Sequence, residues 1–381
     1  MKFKILIVFV LSFVLTHCNQ VTAKNEEIKT EVKKDPKPTQ KTIKVALLLD
    51  TSNSMDGLIN QAKAQLWEVV NELSYAKCDG NTPNLKIALY QYGNDELSYS
   101  SGYIKQMIGF TDDLDDISEK LFGLTTNGGE EYCGAVINSS VKELEWGDNK
   151  SDLKMIFIAG NEPFTQGNVN FKDAIGMAKE NDISINTIFC GSYHQGISGN
   201  WKTGADLGNG DYMNIDHNKQ LVHIKTPYDQ DIMSLNKKLN KTYVYYGNKG
   251  AAKYKKQTEQ DENAMILDDA IATKRAITKS SKLYKNSSWD LIDAVEEEIM
   301  EVEEIVAEKL PAELQNKSEE DLKTIVAQKS KERKAIQKQI QELSQKRDKF
   351  VAEKQPKQNN ELENALIKAI KTQAKNKNYT W

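Results

Sequence analysis

Five apolar residues, Val45, Ala46, Leu47, Leu48 and Leu49, run without a polar break into Asp50-Thr51-Ser52-Asn53-Ser54-Met55-Asp56. A run of this length without alternation is what a strand buried on both faces of a parallel sheet needs, because helices cover both of its sides. Asp50 ends the run, Ser52 and Ser54 follow at alternate positions, and residues 58–73 have the spacing of an amphipathic helix. One carboxylate and two hydroxyls delivered into a strand-to-helix turn are three convergent oxygens, the donors that Mg²⁺ and Ca²⁺ prefer. The same residue types also cap helix N-termini, so local chemistry alone leaves ligation and capping both open.

Further strand patterns fall at 85–92, 103–110, 153–159, 183–190 and 212–215, the first two joined by a hairpin around 94–102. Helical patterns over 112–122, 132–146, 171–180 and 201–207 lie between the later strands. Strands alternating with helices predict an α/β, doubly wound, mostly parallel sheet, and in such sheets ligands bind at the carboxyl ends of the strands, where Asp50 falls.

Asp50-x-Ser52-x-Ser54 after a buried strand, strand 153–159 running into Gly160-Asn161-Glu162-Pro163, and the closing stretches 201–205 and 210–212 together resemble the von Willebrand factor type A (vWA) family over residues 41–225. The resemblance implies a Rossmann-like domain carrying a metal-ion-dependent adhesion site (MIDAS). There a divalent cation, Mg²⁺ or else Mn²⁺ or Ca²⁺, is completed by a carboxylate of a protein partner. The family's G-G-T pattern appears here as Gly128-Gly129-Glu130, and its T-D-A-x-P pattern as Ala159-Gly160-Asn161-Glu162-Pro163, with Gly160 at the aspartate position. One carboxylate is lost and one gained, so the charge that a divalent ion needs is preserved. The resemblance thus nominates Asp50, Ser52, Ser54, Glu130 and Asn161 as metal residues, with Thr126 and Glu131 behind them.

Three functions are compatible with this pattern: an ion-dependent adhesion or assembly module, a metal-free scaffold with a vestigial site, and a metal-dependent hydrolase. The chain has no nucleophile elbow, phosphate loop or paired His/Cys arrangement, and His194, His217 and His223 lack ligand-like spacing, so no enzyme is expected. A net charge of −4 with 28% charged residues gives no basic footprint for nucleic acid.

Lys2 and Lys4 precede an apolar run over 5–15, too short to span a bilayer and laid out as a secretory signal. Leu15-Thr16-His17-Cys18 resembles a bacterial lipobox, with His17 where a small residue is usual. Residues 1–17 are therefore expected to be a signal peptide, Cys18 a lipidation site, and 18–40 a flexible tether rich in Lys, Glu, Thr, Asn and Gln. Cleavage near Ala23 is the alternative. Either way export is expected; with Cys18 lipidated the protein touches the membrane of the cell envelope through that anchor only, and with cleavage near Ala23 it is a soluble exported protein. Cys78, Cys133 and Cys190 remain, and Cys133 and Cys190 share one end of an α/β domain, so a disulfide between them stands beside buried free thiols.

Residues 226–381 form a helix-rich second region. Ile336, Ile340, Leu343, Arg347 and Phe350 step by four and three as in a short coiled coil, which means self-association or a hairpin packed within the chain. Tyr243, Tyr245, Tyr246 and Trp289 read as a packed junction.

Overall fold

The computed structural model describes residues 41–56, 59, 61, 69–215, 224–354 and 361–381, with backbone alone for 361–364. The signal peptide, Cys18, the tether, most of the 58–73 helix, His217 and His223 lie outside these residues.

The sheet is built from β1 (Thr42–Asp50), β3 (Asn84–Tyr92), β4 (Ile104–Thr111), β5 (Leu153–Gly160), β6 (Ser184–Cys190) and β7 (Tyr212–Ile215); β2 (Lys77–Cys78) lies apart. Its order is β4-β3-β1-β5-β6-β7, parallel throughout except for the β3–β4 pair. β1 is central, with Asp50 opposite Tyr92 and Leu49 opposite Ala159. Its side chains divide by parity, as a period of two demands. Ile43, Val45, Leu47 and Leu49 enter one core, and Ala46 and Leu48 enter the other. The second core is closed by α2 (Cys133–Glu143), α3 (Phe171–Glu180) and α5 (Trp201–Leu207), while α1 (Leu114–Phe122) covers the first and α4 (Tyr193–Ser198) follows β6.

That parity also separates the cysteines. Cys133 belongs to one core and Cys190 to the other, on opposite faces of the sheet, and both are buried free thiols, as is Cys78. The expected bridge is therefore corrected: no bond can form through the sheet.

The helix-rich region comprises α6 (Asp229–Asn240), α7 (Gly250–Leu267), α8 (Asp269–Lys279), α9 (Leu291–Glu296), α10 (Glu319–Lys354) and α11 (Glu361–Lys375), ending in β8 (Tyr379–Thr380). It does not stand off the sheet. Ile232, Leu239, Ile271, Ile277, Ile336, Ile340 and Ile370 fill the same core as β1's odd-numbered side chains. The coiled-coil-like seam is used here: Ile336 and Ile340 are buried, Arg347 pairs with Asp229 at 3.0 Å, and Phe350 meets the Tyr228 ring edge-on at 6.4 Å. Packing against α6 uses this face within the chain, which is the second of the two arrangements that its period allows.

Buried charge ties the region to the sheet's own helix α1. Arg275 donates to Asp115 at 2.6 Å and to Asp261 at 2.7 Å, Lys279 reaches Asp261 at 2.7 Å, and the Tyr284 hydroxyl donates to Asp115 at 2.6 Å. Lys279 and Arg275 hold the Asp261 carboxyl well below the usual range against the opposing effect of burial. The aromatic junction is packed as expected, with Tyr243 and Trp289 5.8 Å apart and the Arg333 guanidinium 4.2 Å above the Tyr243 ring. β8 pairs antiparallel with β2, so the last strand closes against a segment three hundred residues earlier, where Cys78 Sγ also donates to the Asn378 carbonyl.

Candidate metal centre at the carboxyl end of the sheet

Chain order makes the crevice between β1 and β5 the point where the sheet reverses its winding, and Asp50 opens onto it. Asp50 is fully buried, and its Oδ1 accepts the Ser52 N–H at 2.8 Å. Its Oδ2 is equally buried and meets no hydrogen-bond donor among the described residues. Ser52 and Ser54 share a hydroxyl–hydroxyl hydrogen bond of 2.8 Å, and Ser54 Oγ donates across the crevice to Asn161 Oδ1 at 3.0 Å. Four of the nominated residues are therefore together.

The second loop is stitched to β1's exit. Asn127 N–H donates to the Thr51 carbonyl, and the buried Asn94 amide bonds the carbonyls of Thr51 and Thr125. Thr126 Oγ1 donates to Asp56, which holds this hydroxyl on a side chain the sequence reading passed over. Glu130, nominated for a direct position, is exposed and accepts from Gln166 Nε2 at 3.2 Å. Glu131 is instead the buried carboxyl, 6% exposed and beside Ser52. The physical reason is the path of the backbone: Gly129 is pressed against the Gly93 carbonyl, where an added Cβ would lie 2.5 Å away, and Glu131 N–H is held by Gln166 Oε1 at 3.3 Å.

Burial pushes the Asp50 carboxyl up to about 7, aided by the nearby Glu131, while the Ser52 amide opposes. Burial likewise raises Glu131 to about 7, with Ser52 opposing and Glu162 reinforcing. Gly93, at φ +74°, separates the two: a side chain there would meet Asp50 Oδ1 and Glu131 Cγ, each at 2.8 Å. Left-handed backbone and this close approach together call for glycine.

Gly160 has a packing explanation. A Cβ there would stand 2.5 Å from Tyr92 Oη, 3.1 Å from the Trp201 ring and 3.2 Å from Asp50 Cβ. The Tyr92 hydroxyl, which donates to the Ala159 carbonyl at 2.9 Å, fills the space an aspartate would need. Gly160→Ala is accordingly expected to destabilise the protein by about 1–3 kcal/mol, the cost of overpacking a filled core. Equilibrium urea unfolding measures it, and a change within error would remove Tyr92 as the reason for the glycine. Tyr92, Gly93 and Gln166 escaped sequence reasoning; Gly93, directly after a buried strand, was the one legible signal.

Among the described residues no group of three or more His, Cys, Asp or Glu side chains is disposed to hold a metal ion. The donors at the crevice are of another kind, hydroxyls and an amide oxygen beside one or two carboxyls. This set, with a buried carboxylate oxygen left unpartnered, fits a hard divalent cation. His194 is exposed on α4 and stands in no such group. No helix of the described residues is long and apolar enough to cross a membrane.

The profile of the family described as von Willebrand factor type A domain matches residues 44–203. No curated protein matches the chain in sequence. Among solved structures the chain is similar to the conserved hypothetical protein BatB from Bacteroides thetaiotaomicron, at 16% identity over 46% of this chain and 90% of that one, with a TM-score of 0.35. Proximal thread matrix protein 1 from the mussel byssus, with a zinc-occupied MIDAS motif, matches at 12% identity over 47% and 43%, TM-score 0.35. The pilus adhesin SpaC from Lactobacillus rhamnosus GG matches at 15% identity over 47% and 28%, TM-score 0.35. The chain thus spans less than half of each of the last two.

Proposed function

We propose that the von Willebrand factor type A domain matched over residues 44–203 is a non-enzymatic, ion-dependent protein-binding module, serving adhesion or assembly at the bacterial cell envelope. The observation that carries this reading is the Asp50 Oδ2, buried and without a donor beside the Ser52–Ser54 hydroxyl pair. A buried carboxylate left unpaired is costly, and a cation is the ligand that relieves it. Asp50, Ser52, Ser54 and Glu131 would hold the ion, with Asn161 orienting Ser54. When bound, the ion supplies a positive centre for an oxygen ligand of a partner, and Glu131 moderates that charge. Export and lipid anchoring rest on the N-terminal sequence around Cys18.

The metal-free scaffold keeps one observation in its favour. Ser52, Ser54 and Asn161 already satisfy one another, and two carboxyls held near 7 can stay neutral. Thermal melting of the full chain separates the readings. In EDTA followed by Mg²⁺, Mn²⁺ or Ca²⁺, an ion at a hundredfold excess over its dissociation constant is expected to add about 2.7 kcal/mol to stability. Glu131→Gln should weaken the response and Glu130→Thr leave it intact. No shift with any of the three ions would establish the scaffold.

A further inference from the structure

The carboxyl end of the sheet carries a second feature that the metal centre does not use. Tyr99 is 74% exposed and meets Tyr103 edge-on, ring centres 5.9 Å apart at 77°; Tyr103 in turn meets Tyr132 at 6.1 Å and 59°. This ladder is held deliberately. Tyr103 has φ +55°, a left-handed conformation that a bulky residue rarely adopts and that costs energy. The turn that imposes it is fastened by the Ser98–Ser100 hydroxyl pair at 2.7 Å, by Ser101 Oγ donating to the Ser98 carbonyl at 2.8 Å, and by Tyr103 N–H donating to that same carbonyl at 3.0 Å. Tyr103's own carbonyl accepts from Gly93 N–H at 3.0 Å, and Gly93 is the residue wedged against Asp50 and Glu131. The ladder is thereby fixed to the carboxylate centre.

The strained backbone of the half-buried Tyr103 sets the ring against which the exposed Tyr99 leans, and an exposed aromatic held in this way is the mark of a surface kept for a partner. Its charge states which partner. Residues 93–105 and 125–132, which contain the three tyrosines, hold four carboxylates, Asp95, Glu96, Glu130 and Glu131, against one cation, Lys105. Asp95, Glu96 and Glu130 are exposed, and Glu130 and Glu131 directly precede Tyr132 in the chain. Aromatic faces flanked by carboxylates attract a cation through the ring quadrupole and the neighbouring negative charge together. A neutral sugar could stack on the same rings but would draw nothing from that charge.

We propose that Tyr99, Tyr103 and Tyr132 form an aromatic subsite that takes a lysine or arginine side chain of a protein partner. The proposal deepens the protein-binding reading and rests on it, but it does not require the ion. Fluorescence anisotropy of the full chain with a labelled hexapeptide of alternating glycine and lysine tests it, run in EDTA and again with Mg²⁺. Tyr99→Ala is expected to weaken binding roughly threefold and Tyr99→Ala/Tyr132→Ala roughly tenfold, with no change in formal charge, while Tyr99→Phe binds as the natural chain. Tyr99 is exposed, so its variants should keep the natural circular dichroism spectrum, and only variants that do so are compared. Unchanged affinity in both alanine variants would mean simple attraction to an acidic protein and overturn the subsite. So would tyrosine-dependent binding of a tetramer of β-1,4-linked N-acetylglucosamine in place of the peptide. Tyrosine dependence that persists in EDTA, with no response to Mg²⁺, supports the subsite while the ion-dependent reading fails.

Discussion

Asp50→Asn is expected to make the metal-free protein more stable at pH 8, by on the order of 3 kcal/mol, while abolishing its response to divalent ions. The Asp50 carboxyl titrates near 7 in the folded chain, because burial disfavours its charged form, and near 4 when unfolded. Between those values the unfolded state has released a proton that the folded state retains, so stability is fully present below about pH 4 and declines as pH rises to about 7. Above 7 the native protein carries the whole cost of an ionised buried carboxylate. Glu131, also raised to about 7, contributes with the same sign. Asparagine keeps an oxygen for the Ser52 amide and removes the charge, at the lesser cost of an amide N–H seeking a partner. Melting curves at pH 5 and pH 8 in EDTA, then with Mg²⁺, give all the comparisons. An Asp50→Asn protein less stable than the natural chain at pH 8 in EDTA would refute the cost of the buried charge, and one that still responds to Mg²⁺ would place the ion elsewhere.

Asp115→Ala should cost about 3–5 kcal/mol, the loss found when one partner of a buried ion pair is removed. Arg275 is 1% exposed, and the substitution takes away one of its two carboxylates together with the acceptor of the Tyr284 hydroxyl. What remains is a guanidinium and an ammonium, Lys279, facing the single carboxylate of Asp261. The companion Asp115→Ala/Arg275→Met restores neutrality and is expected to recover a large part of the loss. Guanidinium unfolding followed by tryptophan fluorescence reads both. A loss under about 1 kcal/mol for the single variant would show that this network does not bind the helix-rich region to the sheet.

How legible these features were depended on how local they are. The 45–49 strand, its exit at Asp50 and the two serines could be read directly, since one unbroken apolar run both places the strand and fixes its polarity. Asn161 was found for the same reason, lying just past the end of β5. Gly160 could not be understood from its own neighbourhood. The hydroxyl that excludes a side chain there belongs to Tyr92, on a strand that is not even adjacent to β5 in the sheet. The choice between Glu130 and Glu131 turned on one residue of backbone path, set by the approach of Gly129 to Gly93, which no spacing rule encodes. The seam of α10 announced a buried face by its period but not what buries it, because the pattern is the same for a partner within the chain or outside it.

The β2–β8 pairing and the shared core have a consequence for the order in which the chain can fold. All six strands of the sheet are complete at residue 215, yet the core that Val45, Leu47 and Leu49 enter is completed, beside α1, by side chains from α6, α7, α8, α10 and α11, and a further pairing joins residues 77–78 to 379–380. A chain emerging from its amino end therefore carries a finished sheet with one face only partly covered until α11 has been made. Contacts of this sequence separation slow folding and prolong the exposure of apolar surface. The protein is thus expected to need a holding factor during synthesis, and to lose its native core, rather than a dispensable appendage, when the last helix is cut away.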